Sequence, residues 1–401
     1  MDTGFEKHAE NLMPEAMPSR LKWQADGRPE RRNSWLGQQI ISPYQLKIML
    51  LGMTKDELDE VRKNLSVRNA SSLKKQKLVE RLLVAIPLQA SEVFACFDEE
   101  RYQLAQKLVK SGGIIYQPHI SPTLANYLRK HGLIFFGNHN GRKAIIMPEE
   151  VAVVFRRAAG PELARKVKRN SQWIRLTQGM LFYYGVLDFT QAKDQLEQLT
   201  GEGINILEYV NVISGAIRCY DQMEDTLSGV ADSRVLNPNA IKRKQQAIAA
   251  IDYYPFDKQQ LLQASQPDYK EQTPALHDIT SFLCRKCNIP PEVVAEITRN
   301  SLVIISEDGT MEELLEYLQE CLDVNSAKMI KSLNNKLLDL FNHTRRWTLK
   351  GHTKDEVFPG EARFPQAEPL ASSQPESYVF DFCTRRKMRR NDLSPQQRQN
   401  V

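Results

Sequence analysis

A cluster of basic residues in the amino-terminal quarter of the chain has the composition of a phosphate-binding surface. Between Arg62 and Leu82 the only acidic residue is Glu80. The basic residues of this stretch are Arg62, Lys63, Arg68, Lys74, Lys75, Lys77 and Arg81. Lysine and arginine contacts to phosphates hold a protein on nucleic acid without reading the base sequence. The pattern therefore predicts phosphate contact, and the alternative is a solvated basic face on an ordinary helical hairpin.

A second pair of cations, Arg142 and Lys143, follows the dipeptide Asn140-Gly141. Because Asn-Gly between apolar runs favours a tight hairpin, we predict two strands here, preceded by a helix, a short strand and a second helix. This order is typical of a winged-helix-like unit, in which the hairpin turn often contacts the DNA backbone. The second helix, Pro122 to Lys130, offers little for base recognition except Asn126, so we expect no sequence-specific readout. Binding of a protein is an equally supported use of this unit.

Two other groups contain residue types that can bind metal ions. Neither group has both the number of ligands and the setting that a metal site requires. Cys284 and Cys287 have zinc-ligand spacing, but a structural zinc site needs four ligands, and we expect two buried thiols. Asp221, Glu224 and Asp225 would share a helix face and could hold a hard cation, although a solvated acidic face is the commoner arrangement. Nucleotide-binding, zinc-protease and serine-hydrolase motifs are missing from the sequence. We therefore expect no catalytic site, metal, cofactor or small-molecule substrate.

Helix signals surround these residues. Three capping boxes begin at Thr54, Thr310 and Thr353. The first predicts a helix over Lys55 to Asn64, and a second helix is predicted from Leu73 to Ala85, with Ser72 as its cap and Pro87 as its end.

Most of the chain from Pro161 to Val357 has the pattern of amphipathic helices. A long helix is predicted from Asn325 or Ser326 to near Leu349, with Gly351 at its carboxyl-terminal cap. We expect Trp347 in the core and the neighbouring cations at the end of this helix, where the helix dipole favours them.

The first of these helix pairs resembles a known module. The segments Met53-Thr54-Lys55-Asp56-Glu57-Leu58 and Lys74-Lys75-Gln76-Lys77-Leu78-Val79-Glu80-Arg81-Leu82 resemble the SAP motif and the similar N-terminal domain of the Rho transcription terminator. This resemblance implies a small helical module that binds DNA or RNA, and it leaves the choice between them open. The usual glycine of the SAP loop is absent, and Asn69 and Ala70 occupy that region.

A second resemblance lies near the end of the chain. Arg386-Lys387-Met388-Arg389-Arg390-Asn391-Asp392 is similar to the lead-in of the SEC-C zinc motif, and Asn342 to Thr353 is similar to the segment before it. Bacterial proteins of that type combine Rho-N-like modules, a helical body and a SEC-C tail. Here residues 393–398 contain no cysteine, so we expect no zinc and interpret the tail as a disordered basic arm.

Composition restricts the class of protein further. The 401 residues are 41% hydrophobic and 26% charged, as is usual for globular domains. The net charge of +5 lies entirely in Cys383 to Val401, so whole-chain charge does not support nucleic-acid binding by the rest. The six cysteines are too sparse for a disulfide framework. We find no apolar run long enough to span a membrane and no secretory leader, and we expect a cytoplasmic protein without membrane contact.

Together these patterns predict a mainly α, multi-module helical protein with a small winged-helix-like α+β unit. The predicted divisions are an N-terminal arm (1–34), a SAP/Rho-N-like module (35–98), a winged-helix-like unit (99–158), a helical body (159–357), and a Pro-rich linker with a basic tail (358–401). We expect a non-catalytic protein that binds DNA or RNA through phosphate contacts, with an accessory or regulatory role in transcription. The alternative is a helical adaptor whose body binds a protein partner, with no nucleic-acid role.

Overall fold

The structure is a computed structural model that describes residues 44–117, 119–322, 327–358, 378–381 and 386–389. Within these residues it contains sixteen helices and three small antiparallel sheets, which confirms the predicted mainly α fold with a small α+β unit. The predicted N-terminal arm lies outside the described residues, as does most of the predicted linker and tail. Of the tail, two short strands are described, β7 (Tyr378–Asp381) and β8 (Arg386–Arg389), which pair antiparallel.

The described residues form two compact units. The larger contains the residues up to Glu271 together with Arg345–His352, and the smaller contains Gln272–Thr344 and the residues from Thr353 onward. The helices of the larger unit are α1 (Leu46–Gly52), α2 (Lys55–Asn64), α3 (Lys75–Ala95), α4 (Glu99–Lys110), α5 (Pro122–Lys130), α6 (Glu149–Ala158), α7 (Pro161–Tyr184), α8 (Phe189–Thr200), α9 (Ile206–Ile217), α10 (Pro238–Ala247) and α11 (Lys258–Ala264). Its strands are β1 (Ile114–Tyr116), β2 (Phe135–His139), β3 (Arg142–Ile146), β4 (Val186–Asp188), β5 (Met223–Asp225) and β6 (Gly229–Asp232).

One hydrophobic core serves both the helix pair and the winged-helix-like elements. Leu58 of α2 and Leu82 of α3 are fully buried in the same cluster as Leu128 of α5 and Ile145 of β3. The long helix α7 contributes Val167 to this cluster, and its later residues enter a second cluster. The basic helix pair is therefore packed on the hairpin unit, and the two share one apolar interior.

The predicted order of helix, strand, helix and hairpin is observed in α4, β1, α5, β2 and β3. The sheet has the order β1-β3-β2, and His139 pairs with Arg142 across a two-residue turn. Asn140 and Gly141 have φ values of 52° and 78°, the conformation that favours Asn-Gly in hairpins.

A second sheet, with the order β4-β6-β5, lies in a region predicted to be almost entirely helical. Its strands are only three or four residues long, too short to show an alternating pattern in the sequence. Glu224 and Asp225 belong to β5, so the predicted helical acidic face that included Asp221 is wrong.

Helix α3 differs from its prediction at both ends. It begins at Lys75 with Lys74 at the cap position, so the predicted cap by Ser72 is wrong, and it continues past Pro87 to Ala95. An internal proline removes a backbone hydrogen bond at a cost of about 3 kcal/mol. Ala90 and Phe94 continue, beyond the proline, the buried stripe to which Ile86 belongs, and the burial of these side chains offsets that cost.

The smaller unit is a helical cluster formed by α12 (Pro274–Lys286), α13 (Pro291–Ser306), α14 (Met311–Cys321), α15 (Ala327–His343) and α16 (Lys354–Val357). Its core contains Leu283, Val294, Leu314 and Leu337. All three predicted capping boxes are confirmed, at the starts of α2, α14 and α16.

The helix predicted to reach Leu349 instead ends at His343, and Arg345–His352 belongs to the larger unit. Trp347 is buried as predicted, and its indole Nε1 donates to the Phe182 carbonyl oxygen at 2.9 Å. The cations around it do not lie at a helix end. Lys350 is buried and donates to the carbonyl oxygens of Ile248 and Ile251, so its predicted position was wrong.

Candidate nucleic-acid interface

The amino terminus of α3 carries an unusual concentration of positive charge. Lys74 occupies its cap position, and Lys75 and Lys77 lie within its first turn. No side chain caps this helix start, and the first turn has no acidic residue. The free amide groups at a helix start already carry partial positive charge, which normally favours acidic residues. A helix start with three lysines and no cap is therefore complementary to an anion such as a phosphate.

On the loop before α3 and on α3 itself, four of the predicted cations are exposed and have no hydrogen-bond or ion-pair partner within the described part of the chain. These are Arg68, Lys74, Lys77 and Arg81, which we call the free basic cluster. Their charges are not neutralised within the fold, so they remain available to an external anion. Lys75, between them, donates from Nζ to the carbonyl oxygen of Leu51 at 2.7 Å and thereby ties α3 to the end of α1.

Two other predicted cations are neutralised. Arg62 and Lys63 both pair with Asp59, which lies three and four positions before them, about one helical turn away. The hydrogen bond from Arg62, together with the Lys63 ammonium, lowers the pKa of the Asp59 carboxyl group. The predicted site thus divides into an internally paired part on α2 and a free part on the loop and α3.

The loop between α2 and α3 is held by its apolar residues. Leu65, Val67 and Ala70 are buried, while Ser66 and Asn69 adopt left-handed backbone conformations with φ values of 51° and 56°. Asparagine tolerates this conformation better than most residues other than glycine. Asn69 therefore adopts a backbone conformation that is more usual for glycine.

The two cations of the wing, which is the hairpin formed by β2 and β3, do not act as a pair. In β3, Arg142 and Lys143 are neighbours, and successive side chains of a strand point to opposite faces of the sheet. Arg142 pairs in register with His139, and two residues further along Ala144 pairs with Tyr116, so these positions share one face. Both cations are exposed, but only Arg142 lies on the face that carries Tyr116 and His139.

Helix α1 lies between the wing and the free basic cluster. At its start, the Leu46 amide donates to the Glu150 carboxylate at 2.9 Å, and the Tyr44 carbonyl oxygen accepts from the Glu149 amide. Its other end accepts the hydrogen bond from Lys75. The hydroxyl of Tyr44, two residues before α1, lies 3.4 Å from His139 Nε2, so α1 begins beside the hairpin and ends beside the start of α3.

The outer residues of α1 are Lys47, Ile48 and Leu51, all of which are exposed. Lys47 therefore adds a cation between the free basic cluster and the wing, and sequence analysis did not include it. This short helix packs against α3 and α6.

Helix α5, the second helix of the winged-helix-like unit, has its apolar face buried in the fold. Leu124, Tyr127 and Leu128 of α5 are buried. Arg129 binds Glu57 and Glu60 of α2, and Lys130 also binds Glu60. Of the side chains considered for base reading only Asn126 is exposed, and Arg129 already donates to its carbonyl oxygen.

Sequence analysis also missed a buried polar cluster in the larger unit. Arg101 is fully buried and donates from Nε to Asp98 at 3.1 Å, while its Nη1 lies 3.9 Å from the Cys219 sulfur. Tyr220 donates to the other oxygen of Asp98. Burial raises the pKa of the Cys219 thiol to about 12, so this cysteine is protonated at neutral pH.

Within the described residues, no group of three or more His, Cys, Asp or Glu side chains is arranged to hold a metal ion. Cys284 and Cys287 are half-buried against the core of the smaller unit. Among the described helices none combines the length and apolar character needed to cross a bilayer. No family model matches the chain, and no curated protein or solved structure matches it in the comparisons with known proteins.

Proposed function

We propose that the larger unit binds nucleic acid without catalysis, through phosphate contacts made by the free basic cluster. The observation that carries the proposal is the combination of four exposed, unpartnered cations with the uncapped start of α3. A nucleic-acid strand carries one negative charge at each phosphate, so several adjacent cations can contact several phosphates at once. DNA and RNA share this chemistry, and both belong in the test.

The proposal extends to the wing through Lys47 on α1 and then Arg142. The transcriptional role depends on the resemblance of residues 53–82 to the Rho N-terminal domain and the SAP motif, and a cytoplasmic location is part of the same proposal. Because α5 is packed against α2, we propose backbone contact without sequence-specific base readout.

The direct test measures binding of the full chain to fluorescently labelled duplex DNA, duplex RNA and single strands by anisotropy. The test variant carries Arg68→Ala, Lys74→Ala, Lys77→Ala and Arg81→Ala. A matched control carries Arg165→Ala, Lys168→Ala, Arg243→Ala and Lys258→Ala, four exposed cations elsewhere in the larger unit. Both variants lose two arginines and two lysines, so they have the same net charge.

We expect the test variant to lose most of its affinity and the control to keep its affinity within a few-fold. Equal losses in the two variants would show that net charge alone drives binding. Undiminished binding by the test variant would exclude the free basic cluster as the interface.

A protein-partner adaptor is the second candidate, and one observation favours it. Val84 and Leu88 are 69% and 73% exposed and lie on α3 at helical spacing after Arg81, so they extend the same stripe. If the chain binds no nucleic acid, and if Val84→Ser with Leu88→Ser abolishes capture of a specific protein, this candidate replaces the first.

A further inference from the structure

The wing face that carries Arg142 also carries an aromatic cluster. The Tyr116 hydroxyl and His139 Nδ1 are 2.7 Å apart, and the Tyr44 hydroxyl lies 3.4 Å from His139 Nε2. The ring centroids of Tyr116 and His139 are 5.8 Å apart. We call Tyr44, Tyr116, His139 and Arg142 the aromatic wing face.

Tyr116 is unusual among the aromatic residues because its side chain is 40% exposed. Among the described residues between 44 and 358, Phe358 is the only other phenylalanine, tyrosine or tryptophan that is exposed. An exposed ring fixed by a hydrogen bond at its hydroxyl keeps a defined orientation at little cost in entropy. Such a ring offers a flat apolar surface for a planar ligand.

The charges next to this ring favour an anionic ligand. Arg142 is exposed and has no partner within the described residues. The nearby carboxylates are already engaged, since Glu149 pairs with Arg156 and Glu150 accepts the Leu46 amide at the start of α1. A planar group attached to a phosphate therefore fits the pairing of ring and guanidinium.

From this geometry we infer that the aromatic wing face binds single-stranded nucleic acid, with a base stacked on Tyr116 and an adjacent phosphate on Arg142. This inference rests on the proposed function and specifies its substrate, because bases in a duplex are stacked on each other and do not present their faces to a protein. Exposed aromatic residues beside a positively charged path are the usual means of binding single strands without sequence preference.

The experiment uses the full chain with labelled oligothymidylate and oligouridylate of 15 to 20 nucleotides, and a mixed-sequence duplex of the same length. Tyr116→Leu removes the ring and keeps apolar bulk, while Tyr116→Phe keeps the ring and removes the hydrogen bond to His139. Arg142→Ala is compared with Lys143→Ala, its neighbour on the opposite face of the sheet. Circular dichroism of each variant checks that the fold is retained.

We expect Tyr116→Leu to weaken single-strand binding roughly tenfold, as loss of one stacked base does, and to leave duplex affinity within about twofold. Tyr116→Phe keeps the stacking surface and loses only the hydrogen bond that orients it, so it should bind single strands much more tightly than Tyr116→Leu. Arg142→Ala should weaken single-strand binding more than Lys143→Ala. A strand carrying 5-iodouracil should crosslink on irradiation to a peptide that contains Tyr116.

Three results would overturn the inference. If Tyr116→Leu binds single strands like the wild type while the variant of the free basic cluster loses binding, the inference is wrong and the proposed function stands. If Tyr116→Leu weakens single-strand and duplex binding equally, stacking is excluded. If the wild-type chain binds no nucleic acid, both proposals fail together.

Discussion

Glu57 accepts a hydrogen bond from Arg129 with one carboxylate oxygen, at 3.3 Å, and from the Thr54 amide with the other, at 2.7 Å. The residue that closes the capping box of α2 thus also binds α5, the helix that was considered for base recognition. This relationship fixes α5 against α2 and uses Arg129 inside the fold. It is the reason that we assign phosphate contact to α3 and the wing.

Replacing Glu57 should therefore cost more than loss of an ordinary surface carboxylate. We expect Glu57→Ala to lower the free energy of unfolding by about 1 to 2 kcal/mol, since the helix cap and the ion pair are lost together. Urea denaturation measures this change. Asp56→Ala, one residue earlier and exposed, is the matched control and should change stability by less than about 0.5 kcal/mol. Similar losses in the two variants would contradict a special role for Glu57.

The buried pair of Asp98 and Arg101 should be among the most sensitive positions in the larger unit. Arg101→Met leaves the Asp98 carboxylate buried without its cation, and breaking a buried pair in this way costs about 3 to 5 kcal/mol. Tyr220 still donates to Asp98, which favours the lower part of this range. Thermal and urea denaturation of Arg101→Met and of the exposed Arg165→Met provide the comparison. A loss below about 1 kcal/mol for Arg101→Met would show that this cluster does not stabilise the unit.

His131 predicts how stability depends on pH. Its side chain is buried, with Nδ1 2.8 Å from the Tyr127 carbonyl oxygen, and burial followed by the charges of Arg218 and Arg101 lowers its pKa in the folded state. The unfolded chain therefore takes up a proton near pH 6.5 while the folded chain does not. This contribution to stability is complete above pH 6.5 and is lost as the pH falls from there toward the folded-state pKa.

Unfolding of the wild type and of His131→Gln at pH 7.5 and pH 5.0 tests this prediction. The wild type should lose up to about 1.4 kcal/mol per pH unit through this group, and the variant should lack that component. If the two proteins show the same change in stability between these pH values, His131 does not carry the effect.

The features of the sequence that were interpreted correctly are those with a local cause. The capping box at Thr54 and the hairpin turn at Asn140-Gly141 each depend on residues within four positions of one another, so the sequence contains the whole interaction. The extent of α3 past Pro87 depends instead on Ile86 and Phe94 meeting a core built by distant elements. Helix propensity at a proline could not indicate that outcome.

The candidate nucleic-acid interface shows the same difference between local and long-range interactions. The sequence displays the number of cations around α3, but not which of them are free, because Arg62 is neutralised by Asp59 while Lys77 has no partner. No motif or spacing in the sequence indicated Tyr116 as a site residue. It joins His139 and Arg142 only through the pairing of β1 with β3, a contact between segments far apart in sequence.

The salt dependence of binding tests the central claim most directly. For the wild type, the logarithm of the affinity should fall linearly with the logarithm of the salt concentration, with a slope of about −0.9 per neutralised duplex phosphate or −0.7 per phosphate of a single strand. If Arg68, Lys74, Lys77 and Arg81 each contact a phosphate, replacing all four with alanine should make the slope shallower by roughly 3 units. The matched control with four distant substitutions should keep the wild-type slope. An unchanged slope in the variant of the free basic cluster would contradict the account.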